Sequence, residues 1–366
     1  MGSKKRIIFW QNIISPHQID FLKAISENYI ITLVVDKAQD EYRKKDGWEI
    51  PDYSFLELYI RPNNAIIKQL FEDKQSVHVF SGIGSYKYVD KGFRKAVKLK
   101  AKIGLLSEPI KTRGVKGFLK LVKGNLQRLI YSNKIDFICT TGNLGVETYL
   151  KFGYNRKNIY QWGYFVESII TENKQREKAI VYVGQLVERK QIKEFTELFV
   201  SNNGLGYEKL NIIGKGRLKS ELELIIKNNN NNCKINLLGR LNSQETFGII
   251  SKSSLLVIPS NFDGWGVVVN EALLCGTRVI ASSNVGASVL LDGNIRGEVF
   301  EANNLEDLKR VLTKWSEKKL LLDDNFKIKK WAETNISPKV AANYFENIID
   351  YVYNRKEKKP VAPWLK

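Results

Sequence analysis

Short apolar runs alternate with amphipathic segments along the whole chain. The runs are four to six residues long and rich in Val, Ile and Phe, which is typical of buried strands. In the first half they predict strands at residues 6–10, 30–35, 77–80, 102–106 and 137–140. The longer segments between them predict helices at residues 18–27, 66–72, 91–99 and 117–133. This alternation predicts an α/β fold in which helices cover a parallel sheet.

The second half of the chain repeats the pattern. Strands are predicted at residues 179–183, 209–213, 234–238, 255–258 and 278–281, and helices at 190–200, 217–227, 244–251 and 267–275. A polar run at residues 168–178 separates the halves and is the strongest linker candidate. The chain has 366 residues, a length that suits two domains of common size.

One strand–loop–helix–strand unit in the second half has the chemistry of a binding site. The strand at 255–258 precedes a tight Asp-Gly-Trp-Gly loop at residues 263–266, and the helix that follows ends at Gly276. Glycines let the backbone approach a ligand closely, and the free amides of a helix start favour an anion. Asp263 and Glu271 are eight positions apart, at either end of this loop and the first helical turns. Two carboxylates beside an anion cradle suit a ligand with hydroxyls on either side of a phosphate.

This segment resembles the signature of the family-4 retaining glycosyltransferases, which have the GT-B fold of two Rossmann-like domains facing each other across a cleft. The family pattern is an acidic residue, Gly-Phe-Gly, four variable residues, Glu-Ala and then Gly-x-Pro-Val-Ile-Ala. Here Asp263 stands where Glu is commoner, Trp265 replaces Phe and Arg278 replaces Pro. The resemblance implies that Asp263 contacts donor-sugar hydroxyls and that Glu271 binds the nucleotide ribose. It also places Gly264, Trp265 and Gly266 in the donor site.

A second motif follows the first strand of this half, at residues 182–190. It is similar to the family's Gly-Arg-Leu-x-x-x-Lys segment, in which a cationic pair meets the donor diphosphate. Lys190 aligns with the family lysine, whereas Gln185 takes the place of the arginine, so Arg189 is the candidate second cation. Fixed cations there stabilise the charge that develops on the departing diphosphate. The alternative for Lys190 and Arg189 is a basic helix start that faces solvent.

Glycine turns follow several other strands of the second half. The resemblance places backbone contacts to the phosphates and the base in such turns. The candidates are Gly184, Gly214, Gly239, Arg240, Leu241 and Gly286. Glycines in strand–helix turns are also common outside nucleotide sites, so each one alone is a weak signal.

Two loops of the first half carry candidate catalytic groups. His17 follows the first strand, where it either orients an acceptor hydroxyl or a phosphate, or belongs to a helix-capping loop. Glu108 follows the strand at 102–106, near a position where many relatives have a histidine. It either contacts acceptor hydroxyls or the anomeric centre, or caps the following turn.

The chain is strongly basic, with a formal net charge of +19. Between Lys87 and Arg128, thirteen lysines and arginines are opposed only by Asp90 and Glu108, and apolar residues are interleaved with them. Such a segment favours an anionic bilayer surface, and the alternative is a solvated lysine-rich surface. No signal-peptide core or membrane-length apolar run is visible. We therefore expect a cytoplasmic protein, peripheral at the inner face of the cytoplasmic membrane.

The resemblance also gives the expected domains. Residues 1–167 would form an acceptor-binding domain, residues 178–335 a nucleotide-sugar-binding domain, and residues 336–359 a helix that crosses back to the first domain. Neither an Asp-x-Asp sequence after a strand nor a Cys/His cluster is present, so no metal site is expected. The only co-substrate expected is the nucleotide-sugar donor, with no bound cofactor.

These features together predict a retaining, metal-independent glycosyltransferase of bacterial surface polysaccharide or glycolipid synthesis. It would move a sugar from a nucleotide-diphosphate sugar to a glycan or a polyprenyl- or other lipid-linked acceptor. Retention follows from the resemblance and not from residue spacing. One alternative is a sugar-nucleotide epimerase or a phosphorylase on the same fold. The other is a basic nucleic-acid-binding protein, which is disfavoured because no nucleic-acid module is recognised.

Overall fold

The computed structural model describes residues 4–38, 52–110, 114–169, 176–229, 232–318, 322–354 and 356–366. Residues 170–175 of the predicted linker lie outside these ranges, as do Lys111 and Arg113 of the basic segment. The chain divides into two compact units. Unit 1 comprises Met1–Val166 and Pro338–Lys366, and unit 2 comprises Glu167–Ser337.

Unit 1 is built on a parallel sheet, to which seven strands contribute within the described residues. They are β1 (Arg6–Ile13), β2 (Ile30–Lys37), β3 (Glu57–Ile60), β4 (Val77–Phe80), β5 (Lys102–Ser107), β6 (Phe137–Thr141) and β7 (Ile159–Trp162). Their spatial order is β3-β2-β1-β4-β5-β6-β7. The direction of strand addition reverses between β1 and β4, and in doubly wound sheets ligands bind at the carboxyl ends of the strands beside such a switch point.

The helices described in unit 1 before the second unit lie between these strands. They are α1 (Pro16–Ser26), α2 (Asn64–Gln69), α3 (Lys87–Lys98), α4 (Gly114–Tyr131) and α5 (Gly142–Lys151). The apolar runs of the strands are buried, as expected for parallel strands with helices on both faces. Within this core, the indole Nε1 of Trp10 donates to Nδ1 of His78 over 3.2 Å. Burial lowers the pKa of His78 to about 3, so this histidine is a neutral core residue.

Unit 2 has a second parallel sheet. Its described strands are β8 (Glu177–Val183), β9 (Lys209–Ile213), β10 (Lys234–Gly239), β11 (Ser253–Ile258), β12 (Arg278–Ser282) and β13 (Gly297–Phe300), in the spatial order β10-β9-β8-β11-β12-β13. Its helices are α6 (Ile192–Ser201), α7 (Lys219–Lys227), α8 (Ser243–Lys252), α9 (Val268–Leu274), α10 (Leu305–Glu317) and α11 (Leu322–Ile336). The predicted α/β class with two Rossmann-like domains is therefore confirmed.

The last long helix, α12 (Pro338–Tyr353), returns to unit 1. The ring of Phe345 on this helix contacts the rings of Phe9, Phe21 and Trp162, with centroid distances of 6.1, 5.5 and 5.4 Å. These aromatic contacts bury the end of the chain in the core of unit 1.

Some elements differ from the predicted ones. The pattern missed β3, β7 and β13, which are four-residue strands that include Glu57, Gln161 and Glu298, so none of them shows an unbroken apolar run. It also missed α10 and α11, and it missed α5, whose Gly142 and Gly145 lower the helical signal. Helix α1 begins at Pro16 and not at residue 18, because proline is favoured in the first turn of a helix.

None of the helices within the described ranges has both the length and the apolar character needed to cross a membrane.

Candidate active site

Parallel strands end at the same edge of a sheet, so the loops after the strands of unit 2 meet at its carboxyl edge. The amide of Gly184, after β8, donates to the carbonyl of Ile213 over 3.0 Å. The amide of Gly214, after β9, donates to the carbonyl of Gly239 over 2.7 Å. The glycine turns after β8, β9 and β10 are therefore neighbours in space.

Two glycines at this edge, Gly214 after β9 and Gly286 after β12, have no room for a side chain. A Cβ at Gly214 would clash with the carbonyl oxygen of Gly184, and a Cβ at Gly286 would clash with that of Gly264. Gly214 also has a φ of +154°, which other residues rarely adopt. Glycine is thus required at both positions by the close approach of neighbouring loops.

The loops after β11 and β12 are joined to each other by backbone hydrogen bonds. The amide of Asp263 donates to the carbonyl of Asn284 over 3.0 Å, and the amide of Gly286 donates to that of Asp263 over 3.1 Å. The side chain of Asn284 donates to the carbonyl of Asn261 over 2.9 Å. Asp263 and Gly286 are therefore held side by side.

The side chain of Trp265 attaches the loop at residues 263–266 to the core of unit 2. Its ring is buried, and its Nε1 donates to Oδ1 of the buried Asn270 over 2.8 Å. Gly266, with a φ of +89°, completes the turn into α9. Trp265 therefore supports the loop from the core.

Lys190 and Asp263 form an ion pair, although they are 73 positions apart in the sequence. Their side chains are only 14% and 18% exposed. Arg189 is exposed, and its Nη1 donates to the carbonyl of Phe262 over 2.7 Å. Two candidates from separate motifs, Lys190 and Asp263, thus lie in direct contact.

The local backbone at Lys190 differs from the prediction of a helix at residues 190–200. Residues Glu188–Lys190 form a single 3-10 turn, and Gln191 is left-handed, with φ 51° and ψ 30°. Helix α6 begins only at Ile192. This break lets the lysine side chain reach the loop of Asp263 instead of following the helix surface.

Glu271 lies in the first turn of α9 and is half-buried. Burial raises the pKa of its carboxyl from 4.5 to about 7. No hydrogen bond or ion pair reaches this carboxylate from any residue that the structure describes. A desolvated carboxylate without donors is a strong acceptor for the hydroxyls of a ligand.

The remaining candidates of unit 2, Gln185, Arg240 and Leu241, lie in loops at the carboxyl edge of the sheet. Gln185 and Arg240 are exposed, and Leu241 is half-buried directly after β10. The hydroxyl of the buried Tyr182 donates to the carbonyl of Gln185 over 2.8 Å, which fixes the turn after β8. These three residues follow strands at the same edge of the sheet as the glycine turns.

In unit 1, His17 and Glu108 both approach Tyr164, a residue that the sequence analysis did not select. The hydroxyl of Tyr164 donates to Oε1 of Glu108 over 2.6 Å. The rings of His17 and Tyr164 have centroids 6.0 Å apart. All three follow strand ends at the carboxyl edge of this sheet, after β1, β5 and β7. Tyr164 follows the unpredicted strand β7, and the mostly apolar segment at 159–162 was the signal that would have identified it.

Arg278 replaces the proline of the family pattern. It is the first residue of β12, so it lies at the amino edge of the unit 2 sheet, where it has a structural role. Its Nη2 donates to Oδ2 of Asp324 on α11 over 2.8 Å, and its guanidinium lies 5.5 Å from the ring centroid of Trp315. A cavity of about 350 Å³ also lies at this amino edge, lined by Arg278 and Trp315 among others. This cavity is separate from the candidate site.

Within the described ranges, no three His, Cys, Asp or Glu side chains are grouped so that they could hold a metal ion.

Known proteins resemble the second half of this chain in sequence. Residues 167–332 match the family described as glycosyl transferases group 1. An uncharacterized glycosyltransferase of Methanocaldococcus jannaschii is 35% identical over 102 residues, which is 28% of this chain and 28% of that protein. The matched segments span only 19% to 39% of the length of the three curated relatives.

Solved structures match over nearly the whole chain. The complex of Anabaena HepE with UDP-glucose has a TM-score of 0.70 at 11% identity, and the match covers 94% of this chain and 99% of that one. The lipopolysaccharide outer core galactosyltransferase WaaB has a TM-score of 0.67 at 15% identity, covering 96% and 100%. These similarities show the fold. Residues 167–332 therefore resemble the glycosyl transferases group 1 family, in a chain with the GT-B fold.

Proposed function

We propose that this chain is a retaining glycosyltransferase that takes its sugar from a nucleotide-diphosphate sugar and requires no metal ion. The supporting observation is the contact between Lys190 and Asp263 beside crowded glycine turns, on the loop that leads to Glu271. HepE, which shares the fold, is described in complex with UDP-glucose, which favours a nucleotide sugar here.

The ion pair suggests how donor binding proceeds. Without a donor, each of these mostly buried charges neutralises the other, because an unpaired buried charge is costly. A bound diphosphate brings negative charge to Lys190, and the donor sugar brings hydroxyl groups to Asp263. Each side chain then exchanges its partner for a part of the donor: Lys190 pairs with the diphosphate, and Asp263 accepts hydrogen bonds from the sugar hydroxyls.

Catalysis in this proposal is electrostatic. As the glycosidic bond breaks, negative charge grows on the nucleotide diphosphate, and the fixed ammonium of Lys190 stabilises it more than it stabilises the ground state. Arg189 lies on the same turn and adds a second positive charge. Departure of the nucleotide and attack by the acceptor on the same face of the sugar give retention.

We assign the acceptor to unit 1, at His17, Tyr164 and Glu108. A carboxylate, a phenol and an imidazole at strand ends suit the hydroxyls or phosphate of an acceptor. A glycan or a polyprenyl- or other lipid-linked acceptor of bacterial surface polysaccharide or glycolipid synthesis fits the likeness to WaaB. The protein would then work in the cytoplasm, peripheral at the inner face of the cytoplasmic membrane.

The test is a transfer assay with a panel of nucleotide-diphosphate sugars and bacterial lipid extract as acceptor. We expect one donor to be consumed, with the product keeping the donor's anomeric configuration by proton NMR and with EDTA leaving the rate unchanged. An inverted product or loss of activity in EDTA would contradict the retaining or the metal-independent part. Conversion of the donor to an epimer, or phosphate-dependent cleavage of a glycan, would favour the alternative enzymes instead.

A further inference from the structure

Helix α4 carries a row of large apolar side chains that point into solvent. Seven of its eighteen residues are apolar side chains with exposed fractions between 41% and 80%. They are Val115, Phe118, Leu119, Val122, Leu126, Leu129 and Ile130. Scattered exposed apolar residues are normal on a protein surface, whereas a contiguous row on one helix marks an interaction surface.

The spacing of these seven residues places them on one face. At 3.6 residues per turn, the positions from Val115 to Ile130 fall within an arc of about 120°. We call this face the apolar stripe of α4.

The opposite face of α4 packs on unit 1 and fixes the orientation of the helix. Gly117 and Gly124 are buried there, seven positions apart, and a Cβ at Gly124 would clash with the ring of Phe152. Lys123 donates to the carbonyl of Gly84 over 2.8 Å, and Arg128 donates through Nε to that of Gly153 over 3.0 Å. The packed face is therefore specified by glycines, and rotating the helix to bury the stripe would remove these contacts.

Positive charge borders the stripe. Lys116, Lys120 and Lys123 follow it along one flank, and α4 contains no acidic residue. Lysines beside an apolar face place their ammonium groups at the level of lipid phosphates while the apolar side chains enter the membrane. A second copy of this chain is a poor partner for the stripe, because the formal net charge of +19 makes two copies repel each other.

We propose that α4 lies in the plane of an anionic bilayer, with the apolar stripe at the boundary of the acyl chains and with Lys116 and Lys120 among the lipid phosphates. This inference rests on the peripheral membrane location proposed above and assigns it to one helix. It concerns unit 1 and does not depend on how unit 2 binds the donor.

The test compares two triple variants by co-sedimentation with vesicles. The stripe variant is F118Q/L119Q/L126Q, which changes only exposed side chains. The control is L224Q/L322Q/F326Q, which makes the same kind of change at exposed apolar positions of unit 2. With vesicles of phosphatidylglycerol and phosphatidylcholine, we expect the stripe variant to lose at least tenfold in partitioning, and the control to bind like the unchanged protein.

A fluorescent label reports insertion directly. The native cysteines are all buried, so a cysteine placed at Leu126 or at Lys120 is labelled selectively with an environment-sensitive dye. On adding anionic vesicles, we expect a blue shift and a rise in emission for L126C and a much smaller change for K120C. Equal changes at both positions would contradict an in-plane helix with the stripe inserted.

Several results would overturn the proposal. Failure of the unchanged protein to bind anionic vesicles would do so, as would equal binding by the stripe variant. An oligomer in light scattering that the stripe variant converts to a monomer, without lipid binding, would identify the stripe as a protein interface. Nucleotide titration of the same variants separates this proposal from the proposed function, because the stripe variant should keep its nucleotide affinity.

Discussion

Replacing Glu271 with glutamine should stabilise the free protein and weaken nucleotide binding at the same time. The pKa of this half-buried carboxyl rises from 4.5 to about 7 on folding, because burial disfavours the charged form. The folded protein therefore holds the proton more tightly than the unfolded chain does. The stability contributed by this group is complete below pH 4.5 and is lost as the pH rises through about 7.

The size of the effect follows from the pKa change. A rise from 4.5 to about 7 corresponds to roughly 3 kcal/mol, at about 1.36 kcal/mol per pH unit. Glutamine resembles the protonated acid and carries no charge at any pH. The E271Q variant should therefore gain up to about 3 kcal/mol over the unchanged protein above pH 7, and this gain should disappear below pH 4.5. The matched control, E333Q, changes an exposed glutamate of α11 and should show no such gain.

The assay is a series of thermal or denaturant unfolding curves across this pH range, followed by calorimetric titration of the nucleotide. Because ribose hydroxyls stabilise the ionised carboxylate, binding to the unchanged protein should release a proton near pH 7, and binding to E271Q should be weaker and release none. Titration in two buffers of different ionisation enthalpy measures the proton. If E271Q is not stabilised above pH 7, the burial argument is wrong. If its nucleotide affinity and proton release are unchanged, Glu271 does not bind the ribose.

Three further predictions concern other parts of the chain. The K190A variant should lose at least about tenfold in turnover, as expected for loss of a transition-state contact, and near-normal turnover of a folded variant would refute the assignment. G286A should destabilise unit 2, because its Cβ meets the carbonyl of Gly264, whereas G248A in α8, where a Cβ meets nothing within 4 Å, should be neutral or stabilising in unfolding curves. A triple charge reversal should release the protein from anionic vesicles and leave nucleotide affinity intact, since each near-surface cation adds about 1 kcal/mol of attraction. The reversed residues are Lys116, Lys120 and Lys123. Binding by the unchanged protein should also weaken with salt, and unchanged binding at high salt would contradict the electrostatic part.

The parts of the site that the sequence could predict are those encoded in short segments. The loop from Asp263 to Gly266, and the helix start with Glu271, follow one strand within a few residues, so their common location is a local property. The contact between Lys190 and Asp263 joins loops 73 positions apart. Strand order decides that contact, because β8 and β11 are neighbours in the sheet, and strand order is not visible in periodicity.

The orientation of α4 is a second feature that the sequence pattern could not predict. A row of apolar residues at helical spacing is the ordinary signal of a face that packs on the core. In this helix the core contact is made by the face with Gly117 and Gly124, and the apolar row faces solvent. Contacts such as the packing of Phe152 against Gly124 and the bond from Arg128 to the carbonyl of Gly153 distinguish the two faces, and these contacts are tertiary. Tyr164 was missed because it follows β7, a short strand whose apolar residues are interrupted by Gln161.

The donor site itself is tested most directly by calorimetric titration of UDP, GDP and ADP, and of the matching nucleotide sugars, into the full chain. We expect one base to be bound with saturable one-to-one stoichiometry. The diphosphate should bind more weakly to K190A than to the unchanged protein, because the ammonium at the carboxyl edge of the unit 2 sheet is lost. Absence of binding by every diphosphate and nucleotide sugar, or equal affinity in K190A, would contradict a donor site at this edge.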